Sequence, residues 1–272
     1  MKKKKGGMPL KKYILEACVD SVESAIAACK GGANRLELCS SLIIGGITPS
    51  IGLFRKVKEY CNVPIHVLIR PRYGDFHYTK KEQQIIMEDV EMFQKEGASG
   101  IVVGALNPDG SLNAQYIREV RERAKGMSVT LHRAFDVCAH PLETMKKAIE
   151  LGIDTILTSG QKNHCLEGMH LIADLVKKAA NRIDIMVGGG VNANVIKELY
   201  PITNATSYHM SGKSIKPSGM IYRKEGISMG VASLDEYSIW QTEEENIRAA
   251  KAILEQYAKN DSYESVNLGG IL

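Results

Sequence analysis

The chain has 272 residues, 44% hydrophobic and 24% charged, an ordinary globular composition long enough for one large α/β barrel or two smaller domains. Its formal charge of +4 matches Lys2, Lys3, Lys4 and Lys5, which residues 1–7 hold without an acid. The rest of the chain is neutral, with no basic face for a nucleic acid. No apolar run approaches the roughly 18 residues that span a bilayer, and the opening MKKKKGGMPLKKY lacks the apolar segment of a secretory signal.

Residues 1–12 read as a flexible basic tail, with Met8 a second candidate start. The first apolar run, YILEAC at 13–18, ends with Glu16 and Cys18. Asp20 with Glu23 reads as a capping box for a helix through Val22, Ala25, Ile26 and Cys29, closed by Gly32. RLELC at 35–39 repeats the Glu-x-Cys pattern in Glu37 and Cys39, and Thr48-Pro49 places a capping hydroxyl before a first-turn proline. PIHVLIR at 64–70 ends in Arg70, with Arg72 beyond it. A helical pattern through Ile86, Val90 and Phe93 closes at Gly97, and GIVVGA follows at 100–105. SVTLHR at 128–133 puts His132 on the face of Thr130. Pro141 opens the next helix and Gly152 closes it. TILTSG at 155–160 ends in Thr158 and Ser159, before a helix carrying Ile172, Leu175 and Val176. DIMVGG at 184–189 runs into Gly188, Gly189 and Gly190. TSYHM at 206–210 brings His209 and then Ser211. Residues 211–241 form an over-long connection to a last helix at 242–259, and 261–272 read as a C-terminal tail.

Eight short β-branched runs alternating with eight amphipathic segments predict an α/β fold, a single-domain (β/α)8 TIM barrel over 13–260 that includes the 211–241 loop. A doubly wound open sheet is the alternative. Its first turn usually carries a glycine fingerprint, and CVDSVESA has none.

In such a barrel, function gathers at the carboxyl ends of the strands. If the first two strands pair at matching positions, Glu16 and Glu37 lie level, and Cys18 and Cys39 lie level one step nearer the mouth. Glu16, Glu37, Arg70, His132, Ser159 and His209 are the candidate catalytic residues. The plainer reading packs each cysteine as a small hydrophobe, leaves each histidine satisfied in the core and pairs Arg70 with a glutamate. Gly188, Gly189 and Gly190 with Ser211 are candidates for seating a phosphate or other anion, against the reading of a tight turn. The six cysteines include no CxxC pair and fit a reducing cytoplasm. Ile215, Met220, Ile221, Tyr222, Ile227, Met229, Val231, Tyr237 and Trp240 make the 211–241 segment apolar enough to want cover, which predicts a homodimer or larger assembly.

The blocks EACVDSVESA, GGANRLELCSSL, GGITPSIG, HVLIRPRYGDF, LHRAFD, ILTSGQ, MVGGGV and SYHMSG resemble the CutC family of copper homeostasis proteins over about residues 13–258. The 218–230 segment looks like the tail region of some animal members. The resemblance implies a cytoplasmic, oligomeric TIM barrel concerned with copper, with Cu(I) at Cys18 and Cys39. Soft thiolates select that ion, and His164 with Cys165 are the fallback ligands. Tyr73 replaces a glycine usual in the family, and Val187 replaces a proline. The competing function is an enzyme acting on a small anionic or phosphorylated substrate. Glu16 or Glu37 would be its base, His132 or His209 the acid partner, and the Arg70 fork the anion clamp. A scaffold role for 211–241 is a third class.

Overall fold

The computed structural model describes residues 13–268 except 225, 228 and 230–234, and leaves the side chains of 261–268 undescribed. The tail at 1–12 and Val231 lie outside the described residues. Eight parallel strands close a barrel in chain order: β1 (Ile14–Val19), β2 (Arg35–Leu38), β3 (Ile65–Leu68), β4 (Gly100–Val103), β5 (Ser128–Leu131), β6 (Thr155–Thr158), β7 (Asp184–Val187) and β8 (Ser207–Met210). Eight helices alternate with them: α1 (Val22–Gly31), α2 (Ile51–Tyr60), α3 (Lys80–Lys95), α4 (Ala114–Arg123), α5 (Pro141–Glu150), α6 (Met169–Ala179), α7 (Ala193–Thr203) and α8 (Glu244–Leu268). This is the predicted (β/α)8 barrel, with α8 running past the expected residue 259.

The long connection before α8 differs from a plain loop. It carries an antiparallel pair, β9 (Lys213–Pro217) and β10 (Ser238–Thr242), in which Trp240 lies opposite Ile215. Two helix starts also differ. Ser21, not Asp20, caps α1 by accepting from the Ser24 N–H, and the Asp20 carboxylate instead accepts from the Leu42 N–H. Ser50, not Thr48, caps α2, and the Thr48 hydroxyl accepts from the Arg70 N–H. Pro141 does open α5.

The main core lies between strands and helices. Phe54 of α2 and Phe93 of α3 are fully buried and meet edge to face at 5.4 Å. Each stabilises the fold by roughly 1.5–3 kcal/mol through area removed from water. The barrel interior is different, because its lower layer is polar. Glu16, Arg35, His66, Thr130 and Thr155 are all buried there, where branched apolar side chains usually stack. A small apolar patch, Cys18, Cys39, Leu68 and Val102, sits above them.

Strand register sets what meets what. Glu16 pairs with Arg35, Cys18 with Glu37, and on the other side Glu16 pairs with His209. Glu16 and Glu37 are therefore not level, as the matching of the two Glu-x-Cys runs predicts. The stagger needed to close the barrel moves β2 by two residues, which keeps the inward face and shifts its height.

Candidate functional site

At the floor of the barrel, the Glu16 carboxylate is fully buried between the Arg35 guanidinium and the His209 ring. Arg35 Nε donates to Oε2 at 2.5 Å, and His209 Nδ1 donates to Oε1 at 2.8 Å. Burial alone would raise the Glu16 pKa. The Arg35 charge and the His209 hydrogen bond outweigh burial and hold it at about 2. Glu37, one step higher, has no such clamp. Burial raises it to about 7 despite the nearby His209, and the Glu16 charge adds to the rise. Its Oε2 has no hydrogen-bond partner and lies 3.8 Å from His209 Nδ1. Burial disfavours the charged form of His209, but the two carboxylates prevail and raise its pKa.

The thiols stand above this layer. Cys18 Sγ is 3.7 Å from Glu37 Oε1 and 3.9 Å from Cys39 Sγ, and the Cys39 thiol donates to the Val19 carbonyl at 3.6 Å. The hydrogen bond to Cys39 and burial push the Cys18 thiol well up. One ligand atom each from Cys18, Glu37 and His209 lie within 4.8 Å of one another. Imidazole and thiolate are donors that suit copper.

A cavity of about 420 Å³ opens at the carboxyl ends of the strands. One wall is Cys18, Glu37 and His209; the other holds Arg70, Phe76, His132 and Arg133, with Gly189 between. His132 is placed by a bare strand. Gly104 follows β4, and a side chain there would put its Cβ 2.6 Å from the His132 ring. Gly100 gives the His66 ring the same room at 2.7 Å. The His132 ring packs on Phe76 at 4.7 Å, and its Nδ1 accepts from the Ala134 N–H at 3.1 Å. Nδ1 is an acceptor there, so the ring proton sits on Nε2, which has no partner. Burial, with the Arg70 charge, lowers its pKa to about 3.

Of the sequence candidates, Cys18, Glu37, Arg70, His132, His209 and Gly189 line this cavity. Glu16 lies beneath it and reaches it through His209. The Arg70 fork is turned away, with Nη1 donating to the Gly45 and Gly46 carbonyls and Nη2 to that of Gly74. The guanidinium ties the β2–α2 and β3–α3 loops together. The Ser159 hydroxyl is bound to Asp136 and accepts from Arg133 Nη2. Gly188 packs under Leu157, and Gly190 lies beneath the His164 ring. Ser211 meets α8's entry, its carbonyl accepting from the Thr242 hydroxyl. Cys165 is in the main apolar core.

Four residues here escape the strand-end reading. Arg35 begins β2. Its signal is the shared phase with Glu37 and Cys39. Phe76, Arg133 and Asp136 lie in turns. Asp136 accepts from the Thr158 hydroxyl, the Ser159 and Gln161 N–H groups and Arg133 Nε. It thereby joins the loops after β5 and β6.

The CutC family model matches residues 13–214. A CutC family protein of Pasteurella multocida (strain Pm70) is 41% identical over 243 residues, covering 89% of this chain and 99% of its own. The Homo sapiens copper homeostasis protein cutC homolog is 39% identical over 242 residues, with 89% of each chain covered. The crystal structure of CutC from Streptococcus agalactiae superposes with a TM-score of 0.70 at 30% identity, covering 73% of this chain and 98% of that one. A phosphoribosylanthranilate isomerase of Thermotoga maritima, 12% identical with a TM-score of 0.54, shares the barrel fold alone.

Proposed function

The chain belongs to the CutC family, and we propose that it binds Cu(I) through Cys18 and Cys39 as a copper homeostasis protein. The observation that carries this reading is the 3.9 Å separation of the two thiols above Glu37 and His209. Two metal–sulfur bonds of about 2.3 Å span 3.9 Å at a bent angle of roughly 115°. That leaves one side open for a third donor. His209 suits the part, because its Nδ1 is already bonded to Glu16, which orients the ring and leaves Nε2 as the ligating atom. The raised Cys18 thiol must lose its proton on binding, so affinity should rise with pH.

Titration against a Cu(I)-specific chelator tests this. The wild-type chain should take up equimolar Cu(I), and Cys18→Ser with Cys39→Ser should abolish it. Unchanged affinity in the double variant would send copper elsewhere, with His164 and Cys165 the next pair to change. We place the protein in the cytoplasm, where thiols stay free. Among the described residues no helix is long and apolar enough to cross a membrane. We also propose a homodimer or larger assembly covering Ile215, Ile239 and Trp240, which the β9–β10 pair exposes. A monomer by light scattering at micromolar concentration would refute that.

A second reading has one specific observation behind it: a Glu37 carboxyl at about 7 with an unpartnered oxygen facing a cavity. That is how a general base working near neutrality is tuned, here on a small anionic substrate.

A further inference from the structure

The wall formed by Arg70, Phe76, His132 and Arg133 carries two groups that copper binding does not use. His132 is 5% exposed, lines the cavity and holds its Nε2 proton without an acceptor. A buried donor left unpaired costs about 1–3 kcal/mol, so such a group in a cavity points to a ligand that supplies the acceptor. The donor is also fixed. The Ala134 N–H holds the other ring nitrogen, Phe76 supports one face, and the absent side chain of Gly104 leaves no slack along the edge.

The second group is Arg70, 7% exposed. Its Nη donors go to the carbonyls of Gly45, Gly46 and Gly74, and among the described residues it forms no ion pair with a carboxylate. Carbonyl dipoles take up its two Nη groups, while its Nε has no partner and its positive charge has no counter-charge in a buried place. The acids of the cavity do not supply one. Asp136 is paired with Arg133 at 2.7 Å, and Glu37 lies beside His209 at 3.8 Å on the other wall. The Arg70 guanidinium and the His132 ring flank Phe76, at 5.0 and 4.7 Å from its centroid.

We infer that this wall is a binding site for a small organic monocarboxylate, one oxygen of which accepts from His132 Nε2–H while Arg70 balances its charge. The carbon body rests on Phe76, Leu42 and Leu157, which line the same cavity. A phosphate fits less well. It needs several convergent donors, whereas both Nη groups of Arg70 are spent on carbonyls, leaving its Nε, and His132 offers a single N–H. As a substrate class, the monocarboxylate rests on the acid–base reading above; as a binding site, it is independent of copper.

The test is binding, kept apart from turnover. The Cys18→Ser, Cys39→Ser double variant is titrated with butyrate, pyruvate and inorganic phosphate while the imidazole signals are followed by 15N NMR. The wild-type chain with a Cu(I) chelator present is titrated in parallel, in case the serines disturb the fold. The His132 Nε2 signal should shift saturably with butyrate or pyruvate and not with phosphate. His132→Phe keeps the stacking on Phe76 and removes the donor. It should weaken carboxylate binding by at least about tenfold, the value of one hydrogen bond to a charged acceptor. Phosphate binding without carboxylate binding, no saturable shift with either acid at millimolar concentrations, or equal binding by His132→Phe would each overturn the proposal. Carboxylate binding that survives Glu37→Gln, with no proton exchange at the ligand's α-carbon in the wild-type chain, would keep the site and remove the enzyme reading.

Discussion

Replacing Glu16 by Gln keeps the side chain's shape on the barrel floor and removes its charge. Arg35, 8% exposed, then faces an amide where a carboxylate stood at 2.5 Å. Breaking a buried pair from one side costs about 3–5 kcal/mol, because the remaining charge is stranded. The carboxyl's descent from 4.5 to about 2 gives an independent figure, since that shift converts to about 3 kcal/mol of stability at neutral pH. For a chain of this length, a loss of that size lowers Tm by roughly 6–10 °C. The sign with pH follows. A depressed carboxyl contributes fully above its unfolded value of 4.5, and the contribution fades as pH falls toward 2. The gap between wild type and variant, measured by urea unfolding, should therefore be full at pH 7 and shrink below pH 4.5. Adding Arg35→Met to Glu16→Gln should recover much of the loss, because the stranded cation goes with it. If Glu16→Gln melts within about 2 °C of the wild type, the pair is not holding the floor together and the reasoning fails.

His132 is lowered from 6.5 to about 3, so the folded chain refuses a proton that the unfolded chain takes up below pH 6.5. His132→Phe should therefore lose stability more slowly than wild type as pH drops from 6.5 toward 4, and 15N shifts of a neutral ring down to pH 5 would confirm the cause. Gly104→Ala puts a methyl 2.6 Å from the His132 ring. It should cost about 1–3 kcal/mol by overpacking, with the Ala134 amide losing exchange protection as its acceptor moves. Asp136→Asn keeps the shape but loses the charge that Arg133 pairs with at 2.7 Å. The change should cost about 1.5–3 kcal/mol, the value of a hydrogen bond to a charged group, and thermal melts at neutral pH measure it.

The alternation of eight apolar runs with eight amphipathic segments made the barrel legible, because period and punctuation are local properties. Height within the barrel was not. Glu16 and Glu37 look equivalent in two matching Glu-x-Cys runs, yet one is clamped by Arg35 and the other is left half-paired beside Cys18. Closure of the whole sheet sets that stagger, and no single strand carries it. Arg70 illustrates a second limit. Its place at a strand end was readable, but the direction of its fork depends on where the Gly45, Gly46 and Gly74 carbonyls fall. The caps show the same thing on a smaller scale: Asp20 and Ser21 are both capping residues, and the backbone's course decided for Ser21.

The same stagger bears on the chemistry of the two thiols toward each other. Cys18 is level with Glu37, so Cys39 lies two residues further along the neighbouring strand. Strands about 4.8 Å apart, with a rise of about 3.3 Å per residue, put the two Cα atoms roughly 8 Å apart. A disulfide needs about 4.4–6.8 Å. The sulfurs can therefore lean to within 3.9 Å of one another while the backbone withholds the last step to a covalent bond. An oxidant such as diamide should leave this pair unlinked, whereas Glu37→Cys, level with Cys18, would supply a partner at the height where a bridge can close. The barrel's shear thus separates two properties that usually travel together in paired cysteines: sharing a soft ion and oxidising to a crosslink.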